Sequence, residues 1–515
     1  MKRRPASTRF ARSGLWQSGV RGCVVVLVVA CAAEGPPPDL AMAPCRLPGV
    51  DEALECGTLH VPEDRSTGDG RTIGVHVTRA RATGPSPAPD PLFLFSGGPG
   101  LGASDGAAQA LVRWSGVRAD RDLVLVDLRG TGRSHALHCP PPGDPDDPYT
   151  YLHSVFEIER VRACRDVLAG TADLPLYTTT MAVGDVDDVR RGLGYDAVNL
   201  YGVSYGSLVA QEYVRRHGDH VRAAILHGPV PPTGRQLLDV PQRVDSLIAR
   251  TVAACEADST CARAYPAVGE HLRTLQDRRA PDSVTASVAL DGSGQRQVAI
   301  PYPLVAELLQ FMLYSAEGAA DIPAVLGLIA NDRFAPLVPV IARIRRSLYG
   351  GRLAWGLYLS VYCGELLPDR RADALTRARE TLSGAGELEA LYAACEVWPR
   401  TTVPADFRHP VETAVPVIVI SGELDPVTPP VFGDAIARHL TTGRHVVRPA
   451  RGPPGDGARG ERRRMARVRG APGTRVPRRR GTVESRRRLR RRERACRGDG
   501  TRVTSPRQNP DSATL

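Results

Sequence analysis

The segment Leu200 to Leu208, with the sequence LYGVSYGSL, constrains the fold of this chain more than any other. It places Ser204 between Gly202 and Gly206, where a short apolar strand pattern meets apolar residues at helical spacing. A serine on such a strand-to-helix turn presents its hydroxyl above the sheet, and the glycines let neighbouring backbone pass closely. The pattern predicts that Ser204 is a nucleophile. A glycine-rich turn without chemistry is the simpler alternative, so other motifs must decide.

A second motif, Leu92 to Gly100, is an apolar strand that runs into Gly97, Gly98, Pro99 and Gly100. Such a loop can present bare backbone N–H groups. Acyl transfer builds negative charge on a carbonyl oxygen, and preorganised N–H donors stabilise that charge. We expect one donor from Tyr205, the residue after the nucleophile, and one from Gly98.

A third motif, Leu123 to Ser134, is a buried strand followed by a turn punctuated by Gly130 and Gly132. We expect Asp127 and Arg129 to pair with each other. In that role they shape the loop beneath the site and take no part in the chemistry.

In this order and spacing, the motifs resemble the α/β-hydrolase fold and, more narrowly, the proline iminopeptidase and tripeptidyl aminopeptidase family of serine exopeptidases. The resemblance extends to Ser421 to Pro429, which reads SGELDPVTP. It implies that Asp425 is the triad acid, in the chain order Ser, Asp, His; an Asp-Pro surface turn is the alternative. Ser96 departs from the family pattern, which has His there.

The apolar segments predict an α/β protein with a mostly parallel, eight-stranded sheet and a helical cap inserted between strands six and seven. The core comprises residues 45–230 and 409–450, and the cap comprises residues 231–408. The strands are predicted at Leu54–Val61, Thr72–Val77, Leu92–Phe95, Leu123–Val126, Val198–Tyr201, Val221–Leu226, Val417–Ile420 and His445–Val447.

The triad histidine cannot be identified. On the family pattern the base follows the last strand by several residues, whereas His445 opens that strand and no histidine follows it. His439, at the end of a helix pattern, fits the base still less well than His445. Without an imidazole Ser204 is a weak nucleophile, so we expect this form of the protein to be inactive.

Composition changes abruptly at Arg451. Residues 451–515 carry 21 arginines against six acidic residues, a net charge of +15, so the first 450 residues carry −4 of the total +11. A disordered nucleic-acid-binding arm is the usual interpretation of such a block. We favour a frameshift near Val447 to Arg451, because slipped frames in GC-rich DNA encode Arg, Gly and Pro. The basic charge then says little about partners, and nucleic acid is not expected.

The N-terminus predicts export, and a composition rich in Ala, Arg, Gly and Pro with a single lysine indicates a high-GC bacterium. Residues 1–31 combine basic residues with an apolar run, Cys23 to Ala30, that is far shorter than the ~20 residues of a membrane-spanning helix. Val28 to Cys31 fits lipoprotein processing, with lipidation of Cys31; plain cleavage near Ala30 to Ala33 is the alternative. We expect a secreted protein or a cell-envelope lipoprotein, held at the membrane surface only if Cys31 is lipidated.

Eight of the 11 cysteines lie in the body of the chain, outside the signal, the processing site and the tail. An even set in an exported protein indicates disulfides, although eight cysteines permit many connectivities. A metal site is the alternative, but no Cys-x-x-Cys occurs and we expect no metal or cofactor. Local spacing favours Cys45 with Cys56, Cys139 with Cys164, Cys255 with Cys261, and Cys363 with Cys395.

The family resemblance implies that acidic cap residues receive the free amino group of a peptide substrate. Glu365, beside Cys363, is the first candidate and Glu396 the second; a solvated helix-end carboxylate is the alternative for both. The leading function is therefore a serine aminopeptidase that works through an acyl-enzyme. A carboxylesterase or lipase shares the same catalytic parts, and a non-catalytic peptide-binding surface lipoprotein is the alternative from another class.

Overall fold

The computed structural model describes residues 36–67, 70–144, 146–147, 149–234, 236–277, 283–289, 294–367 and 372–449. The predicted signal segment, Cys31 and the arginine-rich tail all lie outside these ranges.

The described residues build a nine-stranded mixed sheet in the order β1-β2-β3-β5-β4-β6-β7-β10-β11. Its first four strands in that order pair antiparallel, and from β5 onwards every pairing is parallel. The eight predicted strands are all present. The ninth, β1, is a three-residue edge strand too short to show a pattern. The bounds are β1 Ala43–Cys45, β2 Leu54–Pro62, β3 Thr72–Ala80, β4 Leu92–Phe95, β5 Leu123–Val126, β6 Val198–Val203, β7 Val221–His227, β10 Val417–Gly422 and β11 Gly443–Arg448.

The cap lies between β7 and β10, the place predicted for it. It is mostly helical but also contains a hairpin of β8 Ser283–Ala289 and β9 Gln295–Pro301, which the helical prediction missed. The cap helices are α6 Val240–Ala257, α7 Ser259–Ala264, α8 Val268–Asp277, α9 Tyr302–Met312, α10 Ala316–Ala330, α11 Val338–Tyr349, α12 Trp355–Val361, α13 Ala372–Arg379 and α14 Gly386–Val397.

Six further helices flank the sheet. Their bounds are α1 Ala107–Arg113, α2 Ser115–Arg118, α3 Ile158–Ala169, α4 Thr179–Gly192, α5 Tyr205–His217 and α15 Pro430–Ala437. These helices cover both faces of the central strands, so successive residues of β4 pack into different hydrophobic clusters. Phe93 and Phe95 pack in one cluster, and Leu92 and Leu94 pack in another. Apolar runs without alternation are typical of such doubly covered parallel strands.

All four predicted disulfides are present in the structure. Cys139–Cys164 ties the loop after β5 to α3, and Cys363–Cys395 ties the segment after α12 to α14. The remaining two are Cys45–Cys56 and Cys255–Cys261. Local spacing sufficed because each bridge closes a loop of 6 to 32 residues.

Candidate active site

Ser204 is the residue between β6 and α5, and its backbone has a positive φ of 54° with a ψ of −123°. Its backbone N–H donates to the carbonyl oxygen of His227 at the end of β7. A Cβ on Gly202 would lie 2.1 Å from the Gly206 carbonyl oxygen, and one on Gly206 would lie 2.4 Å from that of Phe95. Glycine is therefore required on both sides of the serine for the turn to close.

The glycine loop after β4 lies directly beside this turn. A Cβ on Gly97 would lie 3.0 Å from Ser204 Cβ and 3.5 Å from Ser204 Oγ, so bare backbone faces the hydroxyl. Gly98 has a φ of +110°, and the Gly98–Pro99 peptide bond is cis. From the cap, Ala354 donates its N–H to the Gly100 carbonyl. The loop predicted to form the oxyanion hole is thus held between the elbow and the cap.

Asp425 lies on the turn after β10, where its carboxylate is held by its own loop. Oδ1 accepts the N–H groups of Val427 and Thr428 at 2.9 and 2.8 Å, and Oδ2 accepts the Thr428 hydroxyl. His227, whose carbonyl oxygen accepts the Ser204 N–H, is followed by Gly228. A Cβ on Gly228 would lie 3.8 Å from Asp425 Oδ2. The end of β7 therefore separates the predicted nucleophile from the predicted acid.

Neither of the sheet histidines, His227 and His445, supplies a base for Ser204. His227 lies opposite Val203 in the sheet, and its Nδ1 is paired with the Tyr201 hydroxyl at 2.9 Å. Burial, aided by the charge of Arg113, lowers the pKa of His227, although the Asp425 charge opposes the shift. The His445 imidazole is instead bonded to Ser421 of β10 and Asp434 of α15. Among the described residues, no hydrogen bond joins an imidazole to the Ser204 hydroxyl.

His445 nevertheless takes part in a Ser–His–Asp arrangement of its own. Its Nδ1 lies 2.8 Å from Asp434 Oδ1, and its Nε2 lies 3.0 Å from Ser421 Oγ. Ser421 is fully buried, so no substrate reaches its hydroxyl. A Cβ on Gly433 would clash with the imidazole ring, which shows how closely the ring packs on α15. This second arrangement ties β10, β11 and α15 together and is not catalytic.

The predicted pairing of Asp127 with Arg129 is wrong. Asp127 accepts the N–H and hydroxyl of Ser104 and the N–H of Arg133, because the donors of two turns converge at the end of β5. Arg129 is fully buried and binds Asp185 of α4 through two hydrogen bonds, at 2.6 and 2.8 Å. Both residues fix loops beneath the elbow, but each has its own partner.

Glu365 lies in a π-helical turn, Tyr362–Leu366, and is fully buried. Both carboxylate oxygens are occupied by Thr179, whose N–H donates at 2.6 Å and whose hydroxyl donates at 2.5 Å. Burial raises the pKa of Glu365 to about 7, against the opposing effect of the Thr179 hydrogen bonds. The expectation that this carboxylate meets a substrate amine is therefore not supported, because Glu365 has no exposed surface.

The cap contains a different acidic cluster that the sequence reasoning missed. Glu307 of α9 receives hydrogen bonds from Arg345 and from the Tyr349 hydroxyl. Burial raises the pKa of the nearby Glu387 to about 7; the Glu307 charge adds to the shift and the Arg345 charge opposes it. The available signal was Glu307, a lone carboxylate within the apolar sequence PLVAELLQF.

A row of aromatic rings leads from this cluster towards Asp425. Burial, with the Asp425 charge as the next contribution, raises the pKa of the Tyr314 hydroxyl, while 48% of the residue stays exposed. Tyr362 and Glu307 also act on Tyr314. Neighbouring rings in the row are 4.4 to 4.8 Å apart between centroids, in the order Tyr362, Tyr358, Trp355, Tyr349.

The described residues offer neither a metal centre nor a membrane-spanning helix. No cluster of three or more histidine, cysteine or acidic side chains with metal-binding geometry was found there. None of the helices in the described ranges has the length and apolar character needed to cross a bilayer.

Comparison with known proteins agrees with this geometry. Residues 90–296 match the α/β-hydrolase fold model, and residues 382–460 match the model for TAP-like proteins. The tripeptidyl aminopeptidase of Streptomyces lividans is 27% identical over 232 residues, which is 42% of each chain. The serine protease Hip1 of Mycobacterium tuberculosis is 27% identical over 421 residues, 75% of this chain and 79% of that protein.

Among solved structures, the proline iminopeptidase of Mycobacterium smegmatis aligns with 77% of this chain and 91% of its own, at 15% identity and a TM-score of 0.35. The match to the Streptomyces enzyme spans less than half of that enzyme's length. The two family models, the Streptomyces and Mycobacterium tuberculosis sequence relatives and the elbow at Ser204 agree with one another. The chain belongs to the serine peptidases and hydrolases of the α/β-hydrolase fold.

Proposed function

We propose that this protein is an exported aminopeptidase that releases N-terminal residues from peptides through an acyl-enzyme. Ser204 Oγ attacks the scissile carbonyl carbon, and the backbone N–H groups of Tyr205 and Gly98 stabilise the oxyanion. A histidine held by Asp425 takes the serine proton and then gives it to the leaving amine. Water, activated by the same imidazole, releases the acyl group.

The observation that carries the exopeptidase proposal is the charge of the cap cluster. Among the described residues, the guanidinium of Arg345 is the cation that acts on both Glu307 and Glu387. Arg345 is itself held by the carbonyl oxygens of Tyr151 and His153. When both carboxylates are ionised they carry one negative charge more than Arg345 balances, and the raised pKa of Glu387 reflects the cost of that charge in a partly buried site. A substrate ammonium group supplies the balancing positive charge, and binding it there favours peptides with a free amino terminus.

The missing base is part of the proposal. β11 is parallel to β10, and Arg448 lies opposite Gly422, three residues before Asp425. The chain therefore leaves β11 at the same end of the sheet as Asp425, where the imidazole is needed. The frameshift that we infer near Val447 to Arg451 falls at this point. The match to the TAP-like model runs to residue 460, past the inferred frameshift, so the frameshift hypothesis rests on composition and on the absent histidine.

The exposed face of the last strands supports the same hypothesis. Ile418 and Val446 lie on one face of β10 and β11 and are 45% and 42% exposed. Buried parallel strands are normally covered on both faces. A functional frame that encodes an apolar-faced helix after β11 would cover these side chains. Resequencing that confirms the printed frame, with no histidine codon in either other frame, would refute the hypothesis.

The function is tested with chromogenic amides and a frame-corrected protein. We expect cleavage of amides with a free amino terminus and none of their N-acetylated counterparts. Glu387→Gln should raise KM for the free-amino substrates by at least about ten-fold, the range for losing a hydrogen bond to a charged group. Glu389→Gln, on the same helix but paired with Arg379 at the surface, is the control. Equal cleavage of blocked and unblocked amides would indicate an esterase or an endopeptidase instead.

Export and lipidation at Cys31 belong to the same proposal. They are supported by the basic and apolar pattern of residues 1–31 and by the four disulfides. Labelling of the expressing cells with a tagged fatty acid should mark the parent protein and not Cys31→Ala. An unlabelled parent that appears in the medium would indicate plain cleavage and secretion.

A further inference from the structure

Glu365 lies where the cap meets the core, because its hydrogen-bond partner Thr179 belongs to α4. It lies in the π-helical turn that follows α12, and such turns are rare and often found at functional sites. The Cys363–Cys395 disulfide ties this turn to α14, and the Gly364 carbonyl accepts a hydrogen bond from Arg408. The turn is therefore anchored directly before the carboxylate, by a disulfide and by a hydrogen bond.

The carboxylate belongs to a chain of hydrogen bonds that ends next to the nucleophile. Thr179, the first residue of α4, donates both its N–H and its hydroxyl to Glu365. The same hydroxyl lies 2.8 Å from the hydroxyl of Tyr205, which is 3% exposed. Tyr205 is the first residue of α5 and directly follows Ser204. Three groups thus connect the cap to the residue whose N–H is expected to stabilise the oxyanion.

The directions of these bonds depend on the charge of Glu365. When Glu365 is ionised, the Thr179 hydroxyl must donate to it, so the Tyr205 hydroxyl must donate to Thr179. When Glu365 is protonated, it can donate to Thr179 and the direction along the chain reverses. The charged groups that act on the carboxylate are Glu212 of α5, which disfavours ionisation, and Arg408, which favours it.

We propose that Glu365 is a positioning residue that couples the cap to the oxyanion hole. Through Thr179 it fixes the Tyr205 ring, and so holds the Tyr205 N–H in the direction required by the acyl oxygen. This role rests on the proposed function. It differs from amine binding, since it requires no contact between Glu365 and the substrate.

The test measures Ser204-dependent release of p-nitrophenol by the full-length chain, with Ser204→Ala as the background. The substrates are the p-nitrophenyl esters of alanine and of N-acetylalanine. Their leaving group departs without protonation, so acylation depends on the oxyanion hole even where a base is lacking. We expect Glu365→Gln to lower kcat about ten-fold for both esters, part of the 10²–10³ lost with a whole oxyanion donor, and to leave KM unchanged.

Two further variants keep the test independent of the fate of Glu365→Gln. Thr179→Val removes only the hydroxyl and Tyr205→Phe only the phenol oxygen, and both should show the same loss in kcat. The Glu365→Gln, Thr179→Val double variant should lose no more kcat than either single variant, because both substitutions break the same chain of hydrogen bonds. The inflection near pH 7 in the parent profile should vanish in Glu365→Gln, while Glu389→Gln keeps the parent behaviour.

Each other outcome overturns part of the scheme. A higher KM for the alanine ester alone would make Glu365 an amine ligand and overturn the positioning role. An unchanged kcat and pH profile in all three variants would overturn it as well. A parent protein that releases no more p-nitrophenol than Ser204→Ala would overturn the positioning role, because no Ser204-dependent oxyanion stabilisation would remain to be positioned; the proposed aminopeptidase function has its separate test in the frame-corrected protein.

Discussion

The pH dependence of stability is the sharpest physical consequence of burying Glu365. Burial raises its pKa from 4.5 to about 7. Between these values the folded protein binds more protons than the unfolded chain, so the free energy of unfolding falls as pH rises. At about 1.4 kcal/mol for each pKa unit, the full loss is about 3 kcal/mol and is complete above about pH 7.

Glu365→Gln keeps the shape of the side chain but removes this titration. Relative to the parent, the variant should therefore gain about 3 kcal/mol between about pH 4.5 and about pH 8. For a folded body of about 400 residues, with an unfolding entropy near 2.1 cal/mol/K per residue, this corresponds to about 4 °C in Tm. Other titrating groups, including Glu387, are common to both proteins and cancel in the difference.

Thermal unfolding followed by circular dichroism across this pH range measures the difference directly. Glu389→Gln is the matched control, because its carboxylate is 35% exposed and its ion pair with Arg379 contributes at most about 1 kcal/mol. Its curve should run parallel to that of the parent. A Tm difference between Glu365→Gln and the parent that stays constant over the whole range would refute the reasoning, since it would mean that Glu365 is ionised throughout or protonated throughout.

Three further predictions concern other parts of the molecule. Arg129→Met should lower the free energy of unfolding by up to about 3 kcal/mol in urea titrations, because Asp185 loses its buried partner and keeps the partly exposed Arg65, whereas Arg162→Met at the exposed pair with Glu159 should change it little. Thiol titration of the denatured protein should find at most two free thiols among the eight body cysteines; more would contradict the four bridges. In a frame-corrected enzyme, Asp425→Asn should reduce kcat by up to ~10⁴ through the wrong imidazole tautomer, and an undiminished rate would exclude Asp425 as the acid.

Local features of the fold followed from the sequence because their causes are local. The elbow requires glycine at 202 and 206, since any side chain would collide with backbone only a few residues away or on the adjacent strand. Steric demands of this kind leave a short pattern in the chain. The disulfides were predictable for the same reason, since each joins cysteines close in sequence. The ninth strand, β1, was not predictable, because a strand of three residues is too short to show alternating polar and apolar side chains.

Only the tertiary structure decided which polar side chains meet. Glu365 and Thr179 are 186 residues apart, and Arg129 and Asp185 are 56 apart, so no periodic pattern links the partners. The sequence marked Glu365 as acidic and near a disulfide, but its burial depends on how the cap packs against α4 and α5. The same holds for the cap cluster around Arg345, whose acidic partners come from two different helices. Sequence by itself determined the elbow, the glycine loop and their order; packing between distant segments determined which carboxylates are buried and which remain open to a substrate.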